Sequence, residues 1–199
     1  MSKKPPAIEL MKLWPTVFLK QELRENDVHN ERLVALAREQ PTASVLDVSD
    51  ESVAWLKANI VHAVDLFLRE TGLASALQCS ASGRFEIQTT EDFLSLCNRP
   101  GAYFTGLYVV HSPKPDPDIG RRSDRRPGCI TFYDGRTGMN MNAIERDPNS
   151  FYHYTMGLVT GLLLMWPAHV TYFIHPNLSR EAAIRVAFDI RVDSGRSLT

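Results

Sequence analysis

The chain has 199 residues and 44% hydrophobic content, enough for one domain with a substantial core and too apolar for a disordered segment. Its formal net charge of −1 supplies no general attraction to nucleic acid or to an anionic membrane. Three widely spaced cysteines, Cys79, Cys97 and Cys129, form no CxxC pair and leave an odd number, which argues against a disulfide framework or zinc knuckle.

The start, Met-Ser-Lys-Lys-Pro-Pro, lacks an apolar core of signal-peptide length. The longest apolar stretch, 157–170, is interrupted by Thr160 and Pro167 and is too short for a membrane span. A soluble, cytoplasmic protein with reduced thiols is expected, with neither nucleic acid nor membrane as a partner.

Residues 1–9 are expected to form a flexible arm, and 10–195 a single domain. Leu13 to Leu19 reads as a first strand, which Pro15 assigns to an edge. Asp27 is a candidate cap for a helix with apolar positions Leu33, Leu36 and Ala37. A stronger helix is predicted from about Asp50 to Thr71. Its apolar residues Val53, Leu56, Ile60, Ala63, Val64, Phe67 and Leu68 recur at helical spacing, and Gly72 is a suitable terminator.

From Arg84 onward the pattern changes to short strands. Candidates are Phe85–Gln88, Thr105–His111, Cys129–Tyr133, Leu162–Trp166, Val170–Ile174 and Ile184–Val192. Helices first and strands second predict an α+β, mainly β domain: a jelly-roll, cupin-like double-stranded β-helix with N-terminal supporting helices. The segment 112–127 carries Lys114, Arg121, Arg122, Arg125 and Arg126, three aspartates and four prolines. It reads as a basic, proline-rich loop, either a solvated linker or a flap over the barrel mouth. No Rossmann or P-loop glycine signature is present.

Four patterns occur in a set order: Leu13-Trp14-Pro15-Thr16; Asn98 to Tyr103 followed by Thr105-Gly106-Leu107-Tyr108-Val109; Gly128-Cys129-Ile130-Thr131-Phe132-Tyr133-Asp134; and Gly161 to Pro167 with Pro176-Asn177. Together they resemble the 2-oxoglutarate-Fe(II) oxygenase family of bacteria and phages, relatives of the prolyl hydroxylases. The resemblance spans nearly the whole chain. It implies a facial triad of two histidines and a carboxylate or third histidine around Fe(II), leaving open positions for 2-oxoglutarate and dioxygen.

Those ligand positions are substituted here. A gapless reading puts Cys97 and Arg99 at the first two positions. A second reading, which matches more residues, deletes the ligand segment between Tyr103 and Phe104. A guanidinium has no lone pair to give, so Arg99 cannot replace a ligand. Keeping Pro167 and Asn177 in register puts Tyr172 where the distal histidine belongs. His169 and His175 lie an odd number of residues from Tyr172 and so on the opposite strand face.

The family's co-substrate arginine pairs with the distal carboxylate of 2-oxoglutarate in an Arg-x-Ser strand. Direct counting reaches Ala183. Arg185, two residues on, shares that face, and Arg185-Val186-Ala187 resembles the motif. A surface strand residue paired with Asp189 or Glu181 is the other reading of Arg185. His111, His153 and His175 have no recognisable ligand spacing, and Cys97 lacks an adjacent base.

The expected function is therefore oxygenase-like binding of a small organic anion or a protein partner, with no cofactor and no iron-dependent hydroxylation. Arg99, Tyr108, Trp166, Tyr172 and Arg185 are the candidate ligand-binding residues, with the three aromatics on the inner face of the barrel. The alternative is an active oxygenase using Fe(II) and 2-oxoglutarate at an unusual site, or metal-free acid–base chemistry with Tyr172 and Arg99. A heterodimer with an active homologue is a third arrangement, and a homodimer is the other oligomer considered.

Overall fold

A computed structural model describes residues 16–42, 44–72, 77–117, 126–135 and 153–193. The expected arm at 1–9, Pro15 and most of the 112–127 loop's arginines lie outside these residues.

The strands form two antiparallel sheets. One has the order β1 (Leu19–Glu22), β7 (Leu162–Pro167), β4 (Phe104–His111), β9 (Ala183–Asp193), β2 (Gln78–Gln88). The other has the order β3 (Leu94–Cys97), β8 (Thr171–Ile174), β5 (Cys129–Tyr133), β6 (His153–Gly157). From β2 onward the chain crosses between the sheets at nearly every connection, which is the winding of a double-stranded β-helix. Both expected helices form, α1 (Asn26–Glu39) and α2 (Glu51–Glu70), so the architecture is the expected one.

The pleat splits the larger sheet into two faces. Phe104, Tyr108 and Val110 of β4, Leu163 and Met165 of β7, and Ile184, Val186, Phe188 and Ile190 of β9 meet the helices. The predicted apolar stripe of α2 is fully engaged there, with Val53, Leu56, Ile60, Ala63, Val64, Phe67 and Leu68 all buried. The Phe67 and Phe104 rings lie 4.6 Å apart. On the other face Leu107, Val109, Leu162, Leu164 and Trp166 turn into the barrel and pack against Ile130, Phe132, Val170, Tyr172 and Ile174.

Several local expectations are revised. Asp27 does not cap α1. The N-cap is Glu25, in a left-handed conformation with φ 59°, and it makes no side-chain capping bond. Asp50 does cap α2, accepting from the Ser52 N–H at 2.9 Å. Gly72 ends that helix with φ 71°, a conformation that costs a glycine little. The first described strand starts at Leu19, where the predicted one ends, but it is an edge strand as expected. Strand β2 begins at Gln78, seven residues before the expected start at Phe85. Strands β3 and β6 were not read from the sequence; the former is four residues with an irregular register.

Gly106 marks the tightest approach between β4 and its neighbours. A Cβ there would lie 2.3 Å from both the Leu164 carbonyl oxygen and the Phe188 ring. Because the obstruction includes backbone, Gly106→Ala is expected to destabilise the fold by about 3 kcal/mol or more, read from urea unfolding at equilibrium.

Candidate functional site

The pleat that sends Ile184, Val186 and Phe188 to the helices sends Arg185, Ala187 and Asp189 into the barrel. On the paired strand, Phe85 faces the helices, so Arg84, Glu86 and Gln88 share the barrel side. Register sets Glu86 beside Arg185, and Val109 on its other flank. Across the barrel, Cys97 is paired with Tyr172, and Arg99 follows two residues later, its N–H donating to the Ala168 carbonyl at 3.0 Å.

Three guanidiniums and two carboxylates therefore meet on one face. Glu86 Oε1 accepts from Arg84 Nη2 at 2.9 Å and from Arg99 Nη2 at 3.2 Å. Asp189 accepts from the Thr105 hydroxyl at 2.7 Å and lies 3.8 Å from Arg84 Nη1. Arg84 sits at the exposed rim, whereas the Arg99 side chain is 24% exposed and that of Glu86 17%. Burial works against the Arg99 charge. Its surroundings, Tyr172, Glu86, Cys97 and Asp189, outweigh burial and hold the guanidinium above its usual range.

Arg185 is in a different situation. It is 4% exposed, and its Nη2 donates to a neutral acceptor, Gln88 Oε1, at 2.6 Å. Its Nε is buried without an acceptor. Burial pulls its pKa down, partly opposed by Glu86 and Tyr172, although an arginine keeps its proton at any physiological pH. Neither Asp189 nor Glu181 pairs with it; Glu181 instead meets His111 at 3.2 Å. Taking an ion out of water without a close counter-ion costs several kcal/mol, so this residue is held by the fold against its own preference.

Gln88 is fixed as Arg185's acceptor. Its amide donates to the carbonyls of His175, at 3.0 Å, and of Asp92. The Gln88 carbonyl accepts from Asn177 Nδ2 at 2.9 Å, and the same amide donates to the Glu181 carbonyl at 2.8 Å. Asn177, from the Pro-Asn pair of the sequence motif, thus ties the β8–β9 turn to the end of β2. Arg185 and Gln88 line a recess with His111, Ser112, Leu158 and Asn177. The recess is open to solvent and small, with about 10 Å³ of space for a water-sized group, room for roughly one water.

The expected aromatics divide between the two cores. Trp166 and Tyr172 are barrel residues, their rings 5.1 Å apart, with Phe132 between sheets at 4.9 Å from Trp166. Trp166 Nε1 is a second buried donor without an acceptor. Tyr108, expected on the inner face of the barrel, lies instead on the helix side. Its hydroxyl donates to Asn30 Oδ1 at 2.7 Å, because its even position on β4 puts it on the opposite face from Leu107 and Val109. Glu86, Gln88 and Asp189 were missed. The signal was present as period-two polar spacing, Arg84-x-Glu86-x-Gln88 and Arg185-x-x-x-Asp189, but β2 was read from Phe85 and its polar face was not counted.

His111 lines the recess beside Arg185 with its ring at Glu181, but His169 and the His175 ring lie elsewhere. His175 Nε2 lies 2.7 Å from Thr131 Oγ1 on the outer face of the smaller sheet, as its odd spacing from Tyr172 requires, and His169 is exposed in a turn. Among the described residues no group of three His, Cys, Asp or Glu side chains could hold a metal ion. The barrel face fits iron(II) poorly for a second reason. Glu86 is already shared by two guanidiniums, and an incoming cation would meet an excess of positive charge.

No protein-family model matches the sequence, and no curated protein matches it. Solved structures do match. A prolyl-4-hydroxylase from Pseudomonas putida superposes with TM-score 0.63 at 12% identity, covering 87% of this chain and 84% of that one. HygX from Streptomyces hygroscopicus, solved with nickel and 2-oxoglutarate bound, gives TM-score 0.58 at 12% identity, over 88% and 82% of the two chains. A 2-oxoglutarate-Fe(II) oxygenase family oxidoreductase from Burkholderia pseudomallei gives 0.52 at 9% identity, over 87% and 84%. The chain has the double-stranded β-helix fold of the 2-oxoglutarate-Fe(II) oxygenases that its motifs resemble.

Proposed function

We propose that the barrel binds a small organic anion, without iron, by pairing the ligand's carboxylate with Arg185. The observation that carries this reading is the state of Arg185. Its guanidinium is almost fully buried, keeps a neutral partner and has a donor to spare. A planar guanidinium matches a carboxylate through two parallel hydrogen bonds, so an anion in the recess would satisfy both the charge and the free Nε–H. Arg99 adds to the positive field that draws the anion in. The positive charge that iron would supply in an oxygenase is here supplied by arginine.

Titration of acetate, pyruvate and butyrate by isothermal calorimetry tests the assignment. Loss of charge-assisted hydrogen bonds is worth about 1.5–3 kcal/mol, so Arg185→Gln is expected to weaken binding by roughly 10- to 100-fold. Arg99→Ala is expected to weaken it less, because Glu86 already occupies that group. Unchanged affinity in Arg185→Gln would contradict the proposal.

The competing reading, metal-free acid–base chemistry at Tyr172, meets an obstacle in the same cluster. Burial raises the Tyr172 pKa, and the nearby Arg99 only partly offsets it. The hydroxyl therefore stays protonated, a donor and not a base. Tyr108 is raised as well, again through burial. For both, the folded pKa exceeds the unfolded value of about 10, so their contribution is complete below pH 10 and is lost as pH rises further. Unfolding free energy should fall above pH 10 by about 1.4 kcal/mol per pH unit for each tyrosine. Tyr172→Phe should remove one share of that slope. A Tyr172 phenolate absorbance appearing near neutral pH in the folded protein would restore the acid–base reading.

A further inference from the structure

Apolar residues make up much of the recess beside Arg185: Val109, Leu158, Leu178 and Ala183 line it, together with Pro113 and Pro115. A carboxylate would enter its space of about 10 Å³ only if the walls moved apart, whereas a single-atom anion is of the size the recess already offers. The polar groups around it are engaged. The Gln88 amide donates to the His175 and Asp92 carbonyls, and the Asn177 amide to those of Gln88 and Glu181. The Ser112 hydroxyl donates to the Leu158 carbonyl at 2.6 Å, and the Ser112 N–H to Thr160 Oγ1 at 3.0 Å. Glu86 is held by Arg84 and Arg99, and Glu181 by His111. Arg185 Nε, by contrast, is buried without an acceptor, on a guanidinium whose Nη2 has only the neutral Gln88 as partner.

We infer that this recess is a halide site, taking one chloride or bromide ion against Arg185 Nε between apolar walls. The inference rests on the same reading of Arg185 as an anion anchor and names a second class of anion for it. A buried water asks for about two to four polar partners and must donate as well as accept. Here it would find one free donor and would leave the guanidinium's charge uncompensated. A halide only accepts, asks for no partner in return, and neutralises the charge that burial makes costly. It would compete with a carboxylate for the same N–H. Sulfate, larger and doubly charged, falls outside the class.

The test titrates sodium bromide into the wild-type protein and Arg185→Gln by calorimetry in halide-free buffer, and reads wild-type crystals grown in bromide by anomalous diffraction. An anomalous peak within hydrogen-bonding distance of Arg185 Nε is expected, with bromide binding weakened by about tenfold or more in Arg185→Gln. A recess that holds water and gives no anomalous signal would overturn the inference. So would equal bromide affinity in the two proteins, or a difference between them as large with sodium sulfate as with bromide. Should Arg185→Gln not fold, the anomalous peak alone decides. Sodium acetate, titrated in the same way, separates the two readings of Arg185. Acetate binding that Arg185→Gln abolishes, with no bromide at Arg185, overturns the halide site and leaves the carboxylate site standing. Bromide at Arg185 with no acetate binding does the reverse, and binding of neither overturns both.

Discussion

The pleat of the larger sheet is the constraint on which the rest of the molecule depends. Strands β4, β7 and β9 are buried on both sides, so each residue on them is committed by parity to the helix-side core or to the barrel. Val186 joins the helices because Arg185 does not, and Tyr108 leaves the barrel because Val109 enters it. A one-residue slip of β9 would carry the guanidinium into the apolar layer beneath α2. Helix packing therefore does more than stabilise the sheet. By burying Ile184, Val186, Phe188 and Ile190 it fixes which side chains the barrel receives.

What the barrel receives is unusual for a fold whose solved examples include a metal-bound one. The relevant face combines three arginines with two carboxylates, and the carboxylates are already engaged. Arg185 remains as a buried charge with a neutral partner. A sequence free to optimise stability alone would replace such a group with an apolar one, often at no loss. The proposed anion would complete the charge that Arg185 carries beside a solvent-connected recess. On the proposed reading, the same frame with arginine in place of a metal would attract the opposite charge.

Much of this was legible from the residues. The spacing of Val53 through Leu68 and Gly72 determined α2, and the strands from Thr105 onward, β6 apart, are legible to within a residue or two. The motif order pointed to the double-stranded β-helix, and parity alone separated His175 from Tyr172. Less was legible where local signals were weak. β3 is four residues with an irregular register, and β6 carries alternating polar residues without an apolar run. Strand β2 opens with Gln-Cys-Ser-Ala-Ser-Gly, a stretch of low strand propensity that forms because β9 pairs with it along eleven residues. Glu86 and Gln88 fall inside the strand read as Phe85–Gln88, but without Arg84 the strand is too short to show their shared polar face. Tyr108 was misplaced because a strand buried on both faces gives no hydrophobic alternation to read.

Anaerobic titration of the purified protein with Fe(II), in the presence of 2-oxoglutarate, tests the central claim most directly. An arginine-rich barrel without an available carboxylate predicts sub-stoichiometric iron and no metal-to-ligand charge-transfer band. One tightly bound iron per chain with that band would contradict the account and show that the barrel still assembles an oxygenase centre.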